Sequence, residues 1–229
     1  MLGLGIFSST KWSNTDGMVQ IKNRPITVFS DSSHAYIADN LPLGKVGKIH
    51  DVAGTVPMDT LYPTNQTLWP NAVSGLSRSV LSFDGGQILD ATLTQPAVKT
   101  IVAVAKMDVT TAGNTIFSGR SGPACQLYIG GSGVFGFSGG AILAHTKVAD
   151  LAWHVFVIVH DGANSVFNID GVEVFGNAGA NVPTELRFGG TSSAFSKCKI
   201  AQVQTIPRAC DASERAAIVN RLKADYGIA

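Results

Sequence analysis

The sequence predicts an all-β fold, an antiparallel β-sandwich with an extended N-terminal arm and one C-terminal α-helix. Short runs of strand-forming residues, separated by glycine-rich turns, recur from Ser79 onward, which is typical of a sandwich or jelly roll. The segment Trp153–Gly171 reads as a β-hairpin. A clear helix pattern is found at the C-terminal end of the chain.

Residues 1–75 form the first predicted region, an extended arm and lead-in with short strand candidates at Met18–Lys22 and Ile26–Phe29. Proline, glycine and asparagine interrupt this region, and its hydrophobic periodicity is weak. We therefore expect it to wrap the core or to reach a neighbouring subunit. The sandwich with its closing helix is predicted over residues 76–229.

The strand candidates of the sandwich region are, in chain order, Ser79–Phe83, Thr100–Met107, Asn114–Ser118, Cys125–Ile129, Val134–Ser138, Trp153–Val159, Ser165–Ile169, Glu185–Phe188 and Lys199–Thr205. Turn signals separate them, and three of these are Asp-Gly pairs that begin at Asp84, Asp161 and Asp170. In the hairpin, alternation places Phe167 and Ile169 on one face and Val166 and Asn168 on the other.

The closing helix has a recognisable start and end. Asp211 can cap it, with Glu214 three residues later as in a capping box, and Gly227 suits its C-terminal end. Ile218, Leu222 and Tyr226 recur every four residues. We expect these three side chains to face the sandwich.

Composition excludes several classes of function. The net charge of +1 and the lack of a basic run argue against a nucleic-acid-binding protein. No apolar run approaches the length of a membrane span, and Met1–Phe7 lacks the basic flank of a signal peptide. Only 14% of the residues are charged, so either the surface is rich in small polar residues or part of it is buried against partners.

The cysteines do not form a disulfide framework. Cys125, Cys198 and Cys210 are odd in number and lack a C-x-x-C pair, which indicates reducing conditions during folding. A bridge between Cys198 and Cys210 stays open at this stage. Their spacing does not suit a metal site.

Four segments together resemble the laminin-G-like, concanavalin A-like jelly-roll domains of bacteriophage structural proteins. They are Ser79–Leu89 with its F-D-G turn, Thr100–Lys106, the hairpin Trp153–Gly171, and the closing stretch from Leu186 to Ile228 with its S-x-x-E-R helix. The resemblance covers residues 65–229. It departs from the family at Ser196–Lys199, where the family often has an acidic residue.

The resemblance implies a virion protein, a capsid decoration or a tail or fibre component, assembled in the host cytoplasm. Its implied partners are sister subunits in a homo-oligomer or other virion proteins, with surface glycans as a further class. A free carbohydrate-binding or adhesion module is the alternative. A glycan-cleaving enzyme is the third reading.

Catalytic residues are not evident, and the chain is predicted not to be an enzyme. Glucanases of this fold class use two carboxylates on same-face positions of one strand, and the three glutamates, Glu173, Glu185 and Glu214, lie on separate segments. The Asp-Gly pairs are interpreted as turns rather than calcium ligands, so no metal or cofactor is expected.

We interpret the histidines and the N-terminal aromatic residues as structural rather than as metal-binding or sugar-binding residues. His154 and His160 would lie about 20 Å apart on one strand, too far for one metal, and His34, His50 and His145 have no ligand spacing. Trp12, Tyr62 and Trp69 could form a sugar-stacking platform or anchor the arm, and anchoring is favoured.

Overall fold

Two antiparallel sheets packed face to face confirm the predicted β-sandwich. The computed structural model describes residues 34–229 except 39–40, 42, 52–55, 61–69, 77, 94, 120–124 and 192–193. In chain order the strands are β1 (His34–Ile37), β2 (Gly44–Lys45), β3 (Lys48–His50), β4 (Pro57–Thr60), β5 (Asn71–Gly75), β6 (Arg78–Asp84), β7 (Leu89–Thr92), β8 (Lys99–Met107), β9 (Thr115–Ser118), β10 (Gln126–Ile129), β11 (Val134–Ser138), β12 (Ile142–Val148), β13 (His154–His160), β14 (Ser165–Ile169), β15 (Val172–Gly176), β16 (Glu185–Phe188) and β17 (Lys197–Ile206). Helix α1 (Ala212–Tyr226) follows β17.

The strand order brings distant parts of the chain together. Sheet A has nine strands in the order β15-β14-β13-β8-β17-β6-β5-β2, with β1 also paired to β17. Sheet B has eight strands in the order β12-β11-β10-β9-β16-β7-β4-β3. Neighbours that are far apart in sequence, such as β8 and β17 or β7 and β16, run antiparallel.

The main core lies between the two sheets. Phe167 and Ile169 of the hairpin point into it, as predicted from strand alternation. Phe135 of sheet B meets Phe156 of sheet A edge to face, with 5.3 Å between ring centroids. Such contacts contribute beyond the buried apolar area, so they tie the sheets together.

A second core lies between the outer face of sheet A and helix α1. Ile218 and Leu222 pack there with valines of the central strands, among them Val102 and Val157. Arg215 of the helix also donates from Nε and Nη2 to the Glu173 carboxylate of β15, at 2.7 and 2.9 Å. The predicted docking of the helix is therefore confirmed.

The helix ends are also as predicted. The Asp211 side chain accepts from the Glu214 backbone N–H at 2.9 Å, and the Glu214 carboxylate accepts from the Asp211 N–H at 2.8 Å. Gly227 adopts a left-handed conformation with φ of 65°. Both termini thus satisfy backbone groups that a helix leaves without partners.

Most strand predictions are confirmed, three of them with the same bounds: Val134–Ser138, Ser165–Ile169 and Glu185–Phe188. Trp153, Cys125 and Asn114 each lie one residue outside the strands predicted to include them. Within residues 76–229, strands β7, β12 and β15 were not predicted. β12 and β15 are edge strands with exposed apolar residues, so the local sequence carries little sign of a buried face.

Part of the predicted arm belongs to the sheets. Of the described residues between 34 and 75, β1 pairs with β17, β2 and β5 extend sheet A, and β3 and β4 extend sheet B. The strand candidates Met18–Lys22 and Ile26–Phe29 lie outside the described residues. A boundary at residue 75 stays a prediction.

Candidate functional site

Strand alternation gives sheet B one apolar and one polar surface. Leu186 and Phe188 of β16 point into the core between the sheets, so Glu185 and Arg187 lie on the outer side. The same alternation places several residues of neighbouring strands on this side: Asp59, Asp90, Thr92, Gln126 and Tyr128. We call this outer surface of sheet B the polar face.

A row of side chains crosses the polar face perpendicular to the strands. The register pairs Lys48 with Asp59, Asp59 with Asp90, Asp90 with Arg187, and Arg187 with Ser118. Neighbours in register have Cβ atoms about 5 Å apart, so these side chains can interact. The row runs from the sheet edge, where the Lys48 and Asp59 side chains are each 51% exposed, to its centre, where the Arg187 side chain is 2% exposed.

Asp90 and Arg187 form an ion pair with unused hydrogen-bonding capacity. Arg187 Nη2 donates to Asp90 Oδ2 at 2.8 Å. Within the described part of the chain, Arg187 Nε and Nη1 and Asp90 Oδ1 are buried without a hydrogen-bond partner. Leaving a buried polar atom unpaired costs about 1–3 kcal/mol, and native proteins rarely do so without water, an ion or a ligand. The Arg187 and Asp90 side chains are only 2% and 10% exposed, so the pair lies beneath the surface of the polar face and is not open to a ligand that binds on it.

Tyr128 supplies an aromatic surface on the same face. Its strand pairs with β11, and Gly136 lies directly opposite it. A Cβ atom at Gly136 would lie only 3.2–3.4 Å from the Tyr128 ring and hydroxyl, so the ring lies over this glycine. On the other side of β11, Ala144 of β12 lies opposite Gly136, and its small side chain is exposed. Burial raises the pKa of the half-buried Tyr128 phenol, which therefore stays neutral.

The polar face also collects carboxylates that the sequence separates. Asp59, Asp90 and Glu185 come from three strands and lie on one surface. They do not form a pair on a single strand, which is the pattern that a glucanase site would show. No local sequence signal identifies the set, because the pairing of β4, β7 and β16 is what brings the three together.

His154 lies at one end of the sandwich, beside the turn between β14 and β15. Its Nδ1 lies 2.6 Å from Asp170 Oδ2 and its Nε2 lies 2.8 Å from Asp150 Oδ1. The carboxylates contact opposite sides of the ring, so they cannot share one metal ion with it. Burial by itself would raise the pKa of Asp170, but hydrogen bonds from His154 and the Val155 N–H lower it overall.

His160, at the opposite end of β13, lies in a separate buried cluster. Its Nε2 lies 2.9 Å from the Gly179 carbonyl oxygen, and its Nδ1 lies 3.6 Å from Cys125 Sγ. Lys99 is fully buried beside Cys125, and burial lowers its pKa. Burial raises the pKa of the Cys125 thiol, so the thiol form is favoured over the nucleophilic thiolate.

The remaining histidines lie on strands of the sandwich, and the three cysteines are buried. His34 contacts Asp51, His50 lies on β3, and His145 is buried against Phe167. All three cysteines are buried and free, so Cys198 and Cys210 do not form the bridge that the sequence left open.

The Asp-Gly pairs lie at turns, as interpreted from the sequence. Asp170 has φ of 56° and Gly171 has φ of 104°, the left-handed conformations of a tight hairpin turn. Asp161 precedes a short 3-10 turn, and Asp84 interacts with Gln87. Among the described residues, no group of three or more His, Cys, Asp or Glu side chains could hold a metal ion.

Three predicted site residues cannot be placed. Trp12, Tyr62 and Trp69 lie outside the described residues. The aromatic surface of the polar face comes instead from Tyr128, which the sequence reasoning did not single out. In the part of the chain that is described, no helix is long and apolar enough to cross a membrane.

The fold is similar to that of several solved proteins. No protein-family model and no curated protein matches the chain. Domain 4 of AbnA, an extracellular GH43 arabinanase from Geobacillus stearothermophilus solved with arabinotriose, matches with a TM-score of 0.63 and 15% identity. The match covers 82% of this chain and 98% of that domain. The chain has a jelly-roll β-sandwich fold.

Two other matches are parts of longer chains. Trypanosoma rangeli sialidase in complex with sialic acid matches with a TM-score of 0.61 and 16% identity, over 95% of this chain and 36% of the sialidase. Botulinum neurotoxin type C, whose cell entry depends on two ganglioside molecules, matches with a TM-score of 0.57 and 10% identity, over 78% of this chain and 51% of the toxin chain. The chain thus spans about a third of the sialidase and half of the toxin chain. At these identities the matches establish the fold alone.

Proposed function

We propose that this protein is a non-enzymatic, glycan-binding component of a bacteriophage virion. Glycan binding is the part that the geometry supports best, and the observation that carries it is the Tyr128 ring lying over Gly136 on the polar face. The virion part, as a capsid decoration or a tail or fibre component of laminin-G-like type, rests on the sequence resemblance.

The polar face has the chemistry that a sugar requires. The faces of a pyranose or furanose ring carry C–H groups that pack on an aromatic ring such as Tyr128. Sugar hydroxyls need donors and acceptors at fixed positions, and the partly exposed Gln126 amide and Tyr128 hydroxyl of β10 supply both on this face. Structural relatives solved with arabinotriose or sialic acid, or dependent on gangliosides, add support for a glycan as the ligand class.

Binding of immobilised glycans by Tyr128 variants tests the proposal. We expect Tyr128→Ala to reduce affinity by about tenfold or more, since it removes the stacking surface, whereas Tyr128→Phe should retain most of it. Leu151→Ala is the control, because Leu151 is 53% exposed but lies in the turn before β13, outside the strands of sheet B. Equal binding by the wild type and Tyr128→Ala would place any glycan site elsewhere.

Contacts between sister subunits are the second part of the proposal. Strands β12 and β15 end the two sheets at the same edge of the sandwich, where Leu143 of one strand contacts Gly176 of the other. Ile142 and Phe175 are each 67% exposed at this edge. Edge strands with exposed apolar side chains are suited to pairing with a second copy.

Sedimentation separates a virion component from a free binding module. A virion component should co-sediment with assembled particles, and purified protein should form a homo-oligomer that Phe175→Glu disrupts. A free module would remain in the supernatant and bind glycans as a monomer. The result therefore distinguishes a virion component from a free carbohydrate-binding module.

A hydrolysis screen addresses the enzymatic alternative. Asp59, Asp90 and Glu185 share the polar face, but Asp90 is engaged by Arg187 and Asp59 contacts Lys48 at 3.2 Å. A glycosidase keeps one carboxylic acid protonated and one carboxylate free, and neighbouring cations oppose protonation. We expect no release of reducing sugar from arabinan or sialylated substrates. Turnover lost in Asp90→Asn would instead establish an enzyme.

A further inference from the structure

The Tyr128 stacking surface has an apolar border on one side. Val134 of β11 and Val148 of β12 pair in register, beside the row that joins Tyr128, Gly136 and Ala144. We propose that this valine border selects sugars that carry a methyl group, such as deoxy or acetamido sugars, over the parent sugars that carry a hydroxyl there. The inference rests on the proposed glycan-binding function and adds the ligand class to it.

Both valines point away from the core, toward a ligand on the polar face. Phe135, which follows Val134, is buried between the sheets, so Val134 lies on the outer side of sheet B. Val148 lies opposite Val134 in an antiparallel pair, whose members share a face. Its side chain is 66% exposed, so it is open to a molecule bound on this face.

The valine border lies within reach of a sugar stacked on Tyr128. Residues diagonal across two antiparallel strands lie about 7–8 Å apart, and Val134 is diagonal to Tyr128. Neighbouring strands are about 4.8 Å apart, so Ala144 lies about 10 Å from Tyr128, across Gly136. A sugar ring on this floor therefore places one of its substituents over Val134 or Val148.

Residue size makes the valine border a step in the surface. Gly136 has no side chain and Ala144 has only a methyl group, so the floor beside the Tyr128 ring is low. Valine side chains project further from the sheet and form a wall of methyl groups along one side of that floor. A methyl group of the ligand that packs on this wall leaves water, which favours binding by about three- to fivefold.

The other side of the floor is polar. Gln126 lies two residues before Tyr128 on the same face of β10, and its Nε2 donates to Thr115 Oγ1 at 2.8 Å. This bond holds the amide beside the ring, where it can meet sugar hydroxyls. A hydroxyl placed over the valine border would instead lose its bonds to water without replacement, a cost that a methyl group avoids.

A role in subunit contacts explains the valine border less well. A second copy that pairs along the edge strand β12 would bind to the backbone of that strand. Such pairing extends the polar face rather than covering it, so Val134 and Val148 would stay exposed to ligands.

Two matched pairs of immobilised glycans test the inference. One pair contrasts a deoxy sugar with its parent, which has a hydroxymethyl group in place of the methyl. The other contrasts an acetamido sugar with its parent, which has a hydroxyl group there. We expect the wild type to bind the methyl-bearing member of at least one pair about three- to fivefold more tightly. The pair that shows the preference identifies the substituent that the valine border contacts.

Three variants locate the preference. Val148→Thr exchanges a methyl group for a hydroxyl at nearly constant size, so the preference should fall to within about twofold. Val134→Thr should act in the same direction. Val98→Thr is the matched control and should leave the preference unchanged, because Val98 is 38% exposed but precedes β8 of sheet A. Circular dichroism and size-exclusion chromatography report the folding and oligomeric state of each variant.

The outcomes separate the inference from the function beneath it. No preference in either pair, or an unchanged preference in folded Val148→Thr and Val134→Thr, overturns the inference and leaves glycan binding intact. A changed oligomeric state of Val148→Thr with an unchanged preference would assign the valine border to a subunit contact. Failure of the folded wild type to bind any of these glycans, or those of the Tyr128 test, contradicts the proposed function and the inference with it.

Discussion

At the scale of single residues, two buried histidines lie in environments that favour the neutral ring. His145 Nδ1 accepts from the Lys147 backbone N–H at 2.9 Å, and its Nε2 donates to the Val172 carbonyl at 3.1 Å. His160 Nε2 likewise donates to the Gly179 carbonyl. In both cases burial lowers the pKa below its ordinary value, and neighbouring lysines lower it further.

This arrangement predicts loss of stability in mild acid. The unfolded chain takes up protons on these histidines near pH 6.5, whereas the folded chain resists protonation. Their contribution to stability is therefore full above about pH 6.5 and is lost as the pH falls through the lowered folded pKa. Urea unfolding at pH 7.5 and pH 5.5 should give a smaller free energy of unfolding at pH 5.5.

The variant His145→Gln tests whether His145 contributes to this loss of stability in acid. His145→Gln retains one donor and one acceptor but cannot titrate, so the difference between the two pH values should shrink. The carboxylates with lowered pKa, among them Asp170 and Glu173, change the stability only below about pH 4.5, so they do not affect this comparison. Equal stability of the wild type at both pH values would contradict the assignment.

At the scale of elements, helix α1 packs against the outer face of sheet A. Leu222 is fully buried in the core between the helix and the sheet. We expect Leu222→Ala to lower the free energy of unfolding by about 2–5 kcal/mol, through lost burial and the cavity left behind. Asn220→Ala, an exposed position on the same helix, is the control and should change stability little. Chemical denaturation of both variants measures the difference.

The capping box gives a second prediction for the same helix. Asp211→Ala removes the acceptor for the Glu214 N–H and should cost about 0.5–2 kcal/mol. Differential scanning calorimetry of the wild type and variant measures the cost. An unchanged melting temperature would mean that the first helical turn contributes little to docking.

At the scale of the whole molecule, the N-terminal region is predicted to mediate assembly. Leu2, Leu4, Ile6 and Phe7 are apolar in a region without the periodicity of an independent core. Deleting residues 1–20 should leave a folded sandwich that no longer enters particles or oligomers. Circular dichroism and co-sedimentation measure the two properties, and normal incorporation of the shortened chain would shift the interface to the sandwich itself.

Metal dependence of the whole fold should be slight. The Asp-Gly pairs form turns, and the two carboxylates beside His154 lie on opposite sides of its ring. A metal bound only to the folded protein would raise its melting temperature. We expect calcium added after chelation to leave the melting temperature unchanged within about one degree, whereas a rise of many degrees would indicate a bound ion.

The sequence by itself determined the elements whose signals are local. Strand alternation placed Phe167 and Ile169 in the core, and the spacing of Asp211 and Glu214 located the helix start. These features depend on residues a few positions apart, where backbone geometry decides which side chains share a face. The sequence therefore predicted the hairpin, the central strands and the closing helix.

Only the tertiary structure decided the composition of the polar face. Asp90 and Arg187 are 97 residues apart in sequence, and their contact depends on the pairing of β7 with β16. The partners of a strand in a large antiparallel sheet depend on how all strands pack together, because hydrogen bonding between backbones is nearly the same for any pair. The ion pair and the Tyr128 surface could thus be recognised only once the strand order was known.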